Sequence, residues 1–308
     1  MLTPTSTLRV GTRGSALAVA QADLTVAALR RAYPALLPEL CKMTTSGDKK
    51  LDLSLIRQTP SGAKGLFTKE LEEALLRGEI DVAVHSCKDM PWTMPEELVI
   101  AAFLERANTG DVLISKTVPD FASLPQGATI ATSSVRRARQ LQWARPDLRI
   151  EEIRGNVQTR LRKLTGMPDL EGIILAQAGL ERLGFSPTSG QLTCEAGTFR
   201  TSLLKMLPAI GQGAIALQTR RADAPFFEPL NHPATWRAVT AERELMRLLN
   251  GDCTLPVGVA THEEGDTLHL ETILFGAENE PPRHAAVSGS SAAPLAVAAA
   301  ACEALAAR

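Results

Sequence analysis

At 308 residues the chain exceeds the length at which a single hydrophobic core keeps growing, so two or three domains are expected. Hydrophobic residues at 44%, charged residues at 22% and a formal net charge of -1 describe an ordinary globular protein and exclude a disordered one. Five cysteines (Cys41, Cys87, Cys194, Cys253, Cys302), odd in number and free of any C-x-x-C pair, argue against a disulfide framework or a thiolate zinc site, and no metal is expected.

Met1 to Val10 lacks the positive start and apolar run of a secretory signal, which points to a cytoplasmic protein. Leu8 to Gly11 reads as a strand that turns at Gly14 into a helix through Ala32, ended by Pro34, and Glu39 to Thr44 as a second strand. Turn residues Gly47, Pro60, Gly62 and Gly65 follow, and the polar stretch Ser54 to Ala63 is expected to be a mobile lid. Leu66 to Arg77 is a helix stopped by Gly78. Ile80 to Val84 is a buried strand whose end carries His85, Ser86, Cys87, Lys88 and Asp89. Chemistry beyond the carboxyl end of a strand is the habit of open α/β sheets.

The pattern restarts after Gly110 with strand Ala128 to Ala131, helix Ser133 to Ala144, strand Arg149 to Ile153, helix Asn156 to Leu164 and strand Gly172 to Leu175. Pro208 to Gly213 punctuates a further strand, Ala214 to Gln218. Beyond Pro225 a helix from Thr235 to Leu249, strands near Val257 to Ala260 and Thr267 to Leu274, and an Ala-rich terminal helix read as a smaller α+β domain. The Ala292 to Ala301 stretch, interrupted by Pro294, is too short to span a bilayer, so no membrane is expected.

Between residues 130 and 163 nine Arg and Lys stand against three Asp and Glu. Arg136 and Arg137 fall in the first turn of the helix after Thr132, Ser133 and Ser134, and Arg154 precedes the Gly155-Asn156 helix start. Helix N-termini carry unpaired N–H groups and the positive end of the dipole, so arginines added there suit a carboxylate or phosphate. Cation and dipole repel, which an anion between them would relieve; the competing reading is a solvated helix face. A nucleic-acid partner is disfavoured because aromatic residues are only 4% and stacking platforms are scarce. Gly11-Thr12-Arg13-Gly14-Ser15 and Gly211-Gln212-Gly213 lack dinucleotide spacing. Taken alone, Asp89 in a turn reads more readily as a local hydrogen-bonder than as a catalyst, and the His85/Cys87 pair is not taken as a thiol nucleophile.

Gly11-Thr12-Arg13 with Ser15, Thr45-Ser46-Gly47-Asp48, Lys64-Gly65-Leu66-Phe67-Thr68-Lys69-Glu70 and Val84-His85-Ser86 with Lys88-Asp89 stand in an order that also includes Thr132-Ser133-Ser134 with Arg136-Arg137, Arg154-Gly155-Asn156-Val157 with Thr159-Arg160, Gly211-Gln212-Gly213-Ala214, and Gly251 with Cys253. In that order and spacing the chain resembles the porphobilinogen deaminases from end to end. The resemblance implies two periplasmic-binding-protein-like α/β domains plus a smaller C-terminal α+β domain: residues 1–104 with 200–222, residues 105–199, and residues 223–308. It implies a monomeric transferase that joins four porphobilinogens head to tail with loss of ammonia and releases hydroxymethylbilane, on a dipyrromethane cofactor attached by a thioether to Cys253.

The same likeness assigns catalysis to Asp89. A carboxylate facing the pyrrole N–H stabilises the cation left when ammonia departs from an aminomethylpyrrole, and can pass a proton to the leaving amine. Cofactor and substrate binding falls by resemblance to Arg13, Ser15, Lys64, Ser86, Lys88, Thr132, Ser134, Arg136, Arg137, Arg154, Gly155, Asn156, Arg160 and Arg182, since each ring carries an acetate and a propionate that guanidinium forks match. The chain departs from the family pattern at Asp252, where glycine is usual, at Gln218, commonly Glu, at Cys87, usually a larger apolar residue, and in a longer Ser54 to Ala63 segment. The rival reading is a non-catalytic binder of small carboxylates on the same scaffold, against which Asp89 and Cys253 together speak.

Overall fold

In the computed structural model, residues 2–3, 7–43, 68–251, 254–277 and 280–307 are described. They fall into two compact units, Met1–Ala107 with Ala214–Val239, and Asn108–Gly213 with Thr240–Arg308. Among the described residues no helix is long and apolar enough to cross a membrane.

The first unit is built on a mixed five-stranded sheet. Strands β1 (Thr7–Arg13), β2 (Leu37–Met43) and β3 (Val82–Ser86) run parallel, β1 lying between the other two. Strand β4 (Leu98–Phe103) closes the far edge; the strand at Ile215–Arg220, β11 in chain order, lies antiparallel between β3 and β4. Strand β3 is buried on both faces, as its unbroken Val-Ala-Val run foretold. Helix α1 (Ala16–Ala32) lays Ala22, Val26 and Leu29 on one side of this sheet, and helix α2 (Lys69–Leu76) lays Leu71, Ala74 and Leu75 on a second cluster with Ile80 and Leu98.

The second unit holds a mixed six-stranded sheet: β5 (Asp111–Ser115), β6 (Thr129–Ala131), β7 (Arg149–Glu151), β8 (Leu170–Ala176), β9 (Gln191–Cys194) and β10 (Gly197–Leu204), in the order β7-β6-β8-β5-β10-β9. Helices α3 (Val135–Ala144) and α4 (Val157–Gly166) follow β6 and β7, and α5 (Gln177–Arg182) follows β8. After helix α6 (Pro233–Leu248), strands β12 (Val257–Glu264), β13 (Thr267–Leu274) and β14 (Arg283–Ser290) form an antiparallel sheet backed by α7 (Pro294–Ala306). The molecule is therefore an α/β protein with two mixed sheets and a small antiparallel sheet. The boundary drawn at 200 falls inside β10, whose Arg200 to Leu204 pair with β5, and Phe227 and Leu230 belong to the core of the first unit rather than to a domain beginning at 223. Strand pairing and core burial, which composition does not encode, set both limits.

Each unit buries a polar cluster. In the second, Asp111 is fully buried: its Oδ1 accepts from Arg137 Nε (3.0 Å) and Nη2 (2.7 Å) and from Gln212 Nε2 (3.0 Å), and its Oδ2 lies 2.7 Å from Arg136 Nη2. Burial alone would favour the protonated acid, yet the Arg137 and Arg136 guanidiniums hold this carboxyl well below the usual carboxylate range. Arg137 also donates to the Ile174 carbonyl (2.9 Å) and Arg136 to that of Leu207 (2.7 Å), so one aspartate ties α3 to β5, β8 and the segment after β10.

In the first unit the buried chain is neutral at its centre. Gln218 donates to Glu72 Oε1 (3.0 Å) and accepts from His85 Nε2 (3.0 Å), joining α2, β11 and β3. Burial, aided by the Arg13 charge and opposed by the Gln218 hydrogen bond, pushes the His85 imidazole down to about 4. His85 thus serves as a support behind the strand end, and Cys87 is a buried apolar neighbour of Met90 and Phe103.

Two outcomes are expected. Asp111→Asn leaves two buried guanidiniums without a counter-ion and should lower unfolding free energy by about 3 to 5 kcal/mol in denaturant titrations; a loss below 1 kcal/mol would rule out the anchoring role. For His85 the native value lies below the unfolded one of 6.5, so the unfolded chain binds the extra proton and stability drops as pH falls from 6.5 to about 4. The wild-type minus His85→Gln difference in unfolding free energy should shrink by about 3 kcal/mol across that window and be flat above it.

Candidate active site

Parallel β1 and β3 end side by side. Arg13 is the last residue of β1, Ser86 the last of β3, and the helical turn Cys87–Asp89 continues from it, held by Cys87 N–H on the Ala214 carbonyl (3.0 Å) and Met90 N–H on Cys87 (3.1 Å). Ser15 caps α1: its Oγ accepts from Ala18 N–H (3.3 Å), which leaves its own proton to donate. Arg13, Ser15, Ser86 and Asp89 line one open depression with Gln21, Thr68 and His85. Asp89 and Lys88 are exposed there, while Arg13, Ser15 and Ser86 are half-buried.

The sequence reading missed Gln21, which donates to Ser86 Oγ (2.8 Å) and orients it. A signal existed. Gln21 sits one turn before Thr25 on the same buried face of α1 as Ala22, Val26 and Leu29, and a polar residue on an apolar stripe needs a partner. Asp111 was missed as well, and for it the sequence held no signal, because its two arginines lie more than twenty residues away in the chain.

In the second unit, parallel β6 and β7 pair through Ala131 and Glu151, so the helix starts that follow them emerge from the same end of the sheet. At the first, Thr132 Oγ1 accepts from Ser134 N–H (3.2 Å) and Ser134 Oγ caps α3 by accepting from Arg137 N–H (3.4 Å). At the second, Gly155 has φ +115°, and a Cβ there would come within 2.6 Å of Thr159 Cγ2, so only glycine makes this turn. Asn156 Oδ1 then caps α4 through Thr159 N–H (2.8 Å), and Arg160 Nε donates to the Gly155 carbonyl (2.8 Å). Arg154 is half-buried and bridged to Glu152 through Nε (2.7 Å).

Arg136 and Arg137 are placed differently from the sequence expectation. Both are 5% exposed, and their forks already rest on Asp111. The anion that the repulsion between cations and helix dipole called for is supplied by the chain itself. Arg182 is likewise turned inward: Nη2 donates to the Gly213 carbonyl (2.6 Å), and burial, offset in part by Glu181, brings its guanidinium down to about 10. The turn carrying that carbonyl has positive φ at both Gly211 and Gly213 (66° and 83°), and Gln212 between them donates to the Thr109 carbonyl (2.6 Å) as well as to Asp111. Gly211-Gln212-Gly213 is thus a structural turn. Lys64, Asp252, Cys253 and the Ser54 to Ala63 segment lie outside the described residues.

Comparison with known proteins agrees over most of the chain. The family model for "Porphobilinogen deaminase, dipyromethane cofactor binding domain" matches residues 8–228, and that for "Porphobilinogen deaminase, C-terminal domain" residues 236–303. A porphobilinogen deaminase of Geobacter metallireducens is 47% identical over 267 residues, covering 85% of this chain and 80% of the relative. One of Geobacter sulfurreducens is 45% identical over 285 residues, covering 92% and 86%. Solved structures give looser likenesses: the VFT2 domain of Bordetella pertussis BvgS (19% identity, 73% of this chain, 85% of that chain, TM-score 0.41) and the aliphatic sulphonate binding protein SsuA of Escherichia coli (15%, 80%, 71%, 0.41). With both family models matched in order and relatives above 40% identity along nearly the whole length, this chain belongs to the porphobilinogen deaminase family.

Proposed function

We propose that this chain joins four porphobilinogens head to tail with loss of ammonia, on a dipyrromethane held by a thioether to Cys253, and releases hydroxymethylbilane for tetrapyrrole synthesis. The observation that carries the reading is the exposed Asp89 at the end of a buried strand, in one depression with Arg13, Ser15 and Ser86. Its donor set fits the pyrrolic group: a guanidinium and hydroxyls suit acetate and propionate oxygens, and a carboxylate suits a pyrrole N–H. When bound, the dipyrromethane supplies a terminal pyrrole ring with a free α-carbon to receive the first substrate.

The work of the chain's own residues follows from their chemistry. Asp89 faces the pyrrole N–H of the incoming substrate, stabilises positive charge as the aminomethyl nitrogen leaves, and can pass to that nitrogen the proton lost from the acceptor α-carbon when the new bond forms. Arg13, Ser15, Ser86 and Lys88, with Lys64, hold ring carboxylates in the first unit. Thr132, Ser134, Arg154, Gly155, Asn156 and Arg160 hold them at two helix N-termini in the second. Arg136 and Arg137 enter as positioning residues whose grip on Asp111 sets the first turn of α3, and Arg182 as one that braces the 211–213 turn. A division into three domains, the third reaching into the region of the C-terminal family model, a monomeric state and a cytoplasmic location complete the reading.

Asp89→Ala should keep its fold and its thioether-linked group, read by circular dichroism and intact mass, while turnover falls about a hundredfold or more. Near-normal turnover sinks the assignment. Under denaturing, reducing conditions the wild-type chain should carry the added mass of two deaminated porphobilinogen units, mapped to Cys253, because a thioether survives both treatments; a turning-over enzyme with unmodified Cys253 would refute the anchored group. Arg154→Leu should reduce both that occupancy and turnover, since both steps need carboxylates held.

A further inference from the structure

The outer face of the small antiparallel sheet carries chemistry that the deaminase reading leaves unused. Its inner face is apolar: Leu268 and Leu270 of β13 are buried, as are Val297 and Ala298 of α7. Alternation then turns His262, Glu264, His269 and Ser288 to the other side, because His262 and Glu264 are two apart on β12 while His269 lies directly across from His262 and Ser288 directly across from His269.

The two imidazoles stack with centroids 4.5 Å apart and planes 7° from parallel. One ligand atom from each of His262, Glu264 and His269 lies within 4.8 Å of the others. The Ser288 hydroxyl is 2.8 Å from His269 Nδ1, which fixes the ring's orientation and leaves Nε2 as its coordinating nitrogen. Two neutral imidazoles and a carboxylate, with one position open to water, form a donor set suited to zinc. Ligand atoms on a tetrahedral zinc stand about 3.3 Å apart, and rotation of these solvent-facing side chains closes the difference without moving the strands. No cysteine takes part, which is why a search of the sequence for thiolate spacing passes the site by.

We propose that His262, Glu264 and His269 form a surface site for a divalent first-row transition ion, Zn²⁺ in the first instance, with Ser288 orienting His269. The site clamps the β12–β13 hairpin and is separate from the residues assigned to porphobilinogen chemistry.

The holoenzyme, stripped with chelator and titrated with Zn²⁺ by calorimetry, should bind one equivalent with micromolar affinity. His262→Ala and His269→Ala should each weaken that binding at least tenfold and the double variant should abolish it, while Ser288→Ala weakens it severalfold and Ser288→Thr restores it. His284→Ala, on the same face but paired with Glu271 (2.8 Å), should bind as the wild type does. Turnover should be unchanged in all six variants, which also reports their folding. Co²⁺ in place of Zn²⁺ should give visible d–d bands without a thiolate-to-metal charge-transfer band, separating this site from the cysteines. Retention of the equivalent by the double variant, a thiolate band, or no binding at millimolar Zn²⁺ would each overturn the proposal.

Discussion

A carboxylate that is wholly withdrawn from water has to find its counter-charges inside the protein, and Asp111 does so by gathering two arginines from the first turn of α3. The cost of desolvating three ionised groups is offset by close pairing: Arg137 Nε and Nη2 and Gln212 Nε2 donate to Oδ1, and Arg136 Nη2 forms an ion pair with Oδ2. The consequence is geometric. The start of α3, the end of β8 and the 211–213 turn are all referred to one point, so the capping hydroxyl of Ser134 and the backbone around Thr132 have fixed places in the second unit. Asp81 repeats the device in the first unit, where Arg9 grips it through Nε and Nη2 (3.0 and 2.9 Å) and Arg220 adds a third contact (3.1 Å).

Besides these buried charges, each unit carries polar groups toward solvent. In the first unit these are Asp89 and Lys88 on a short turn and the half-buried Arg13, Ser15 and Ser86 beside it. The turn itself is short and exposed, but it grows from β3, whose four residues before Ser86 are buried, and Gln21 and Gln218 hold the side chains just behind it. An exposed carboxylate on a rigid stem is placed accurately without being desolvated itself.

Gln218 satisfies two partners from neighbouring elements. The amide donates to Glu72 and accepts from His85 at once, so a buried histidine can remain neutral between an acid and an amide. A carboxylate at 218 would face the Glu72 carboxylate and draw a proton to one of the three groups. The buried Cys87 contributes a small apolar group to the cluster with Met90, Phe103 and Ala216.

Local signals in the sequence were sufficient for the strands and helices whose ends carry polar residues. Short apolar runs located β1, β3, β6 and β8, a glycine turn located the start of α1, Ser and Asn before helical patterns located the starts of α3 and α4, and motif order identified the family. Such features depend only on neighbours within a few residues, through hydrogen bonds and dihedral preferences that short segments already possess. Strands β4, β5, β9, β10 and β14 were not read, because their short or mixed runs become strands only when a neighbour satisfies their backbone. The tertiary structure alone decided where the charges go. Arg136 and Arg137 meet Asp111, which no local pattern announces, because chain reversal between β5 and α3 brings the three together where water is excluded. The His262 and His269 pair, seven residues apart across a hairpin, has the same origin: strand register, which no local pattern records, sets them face to face.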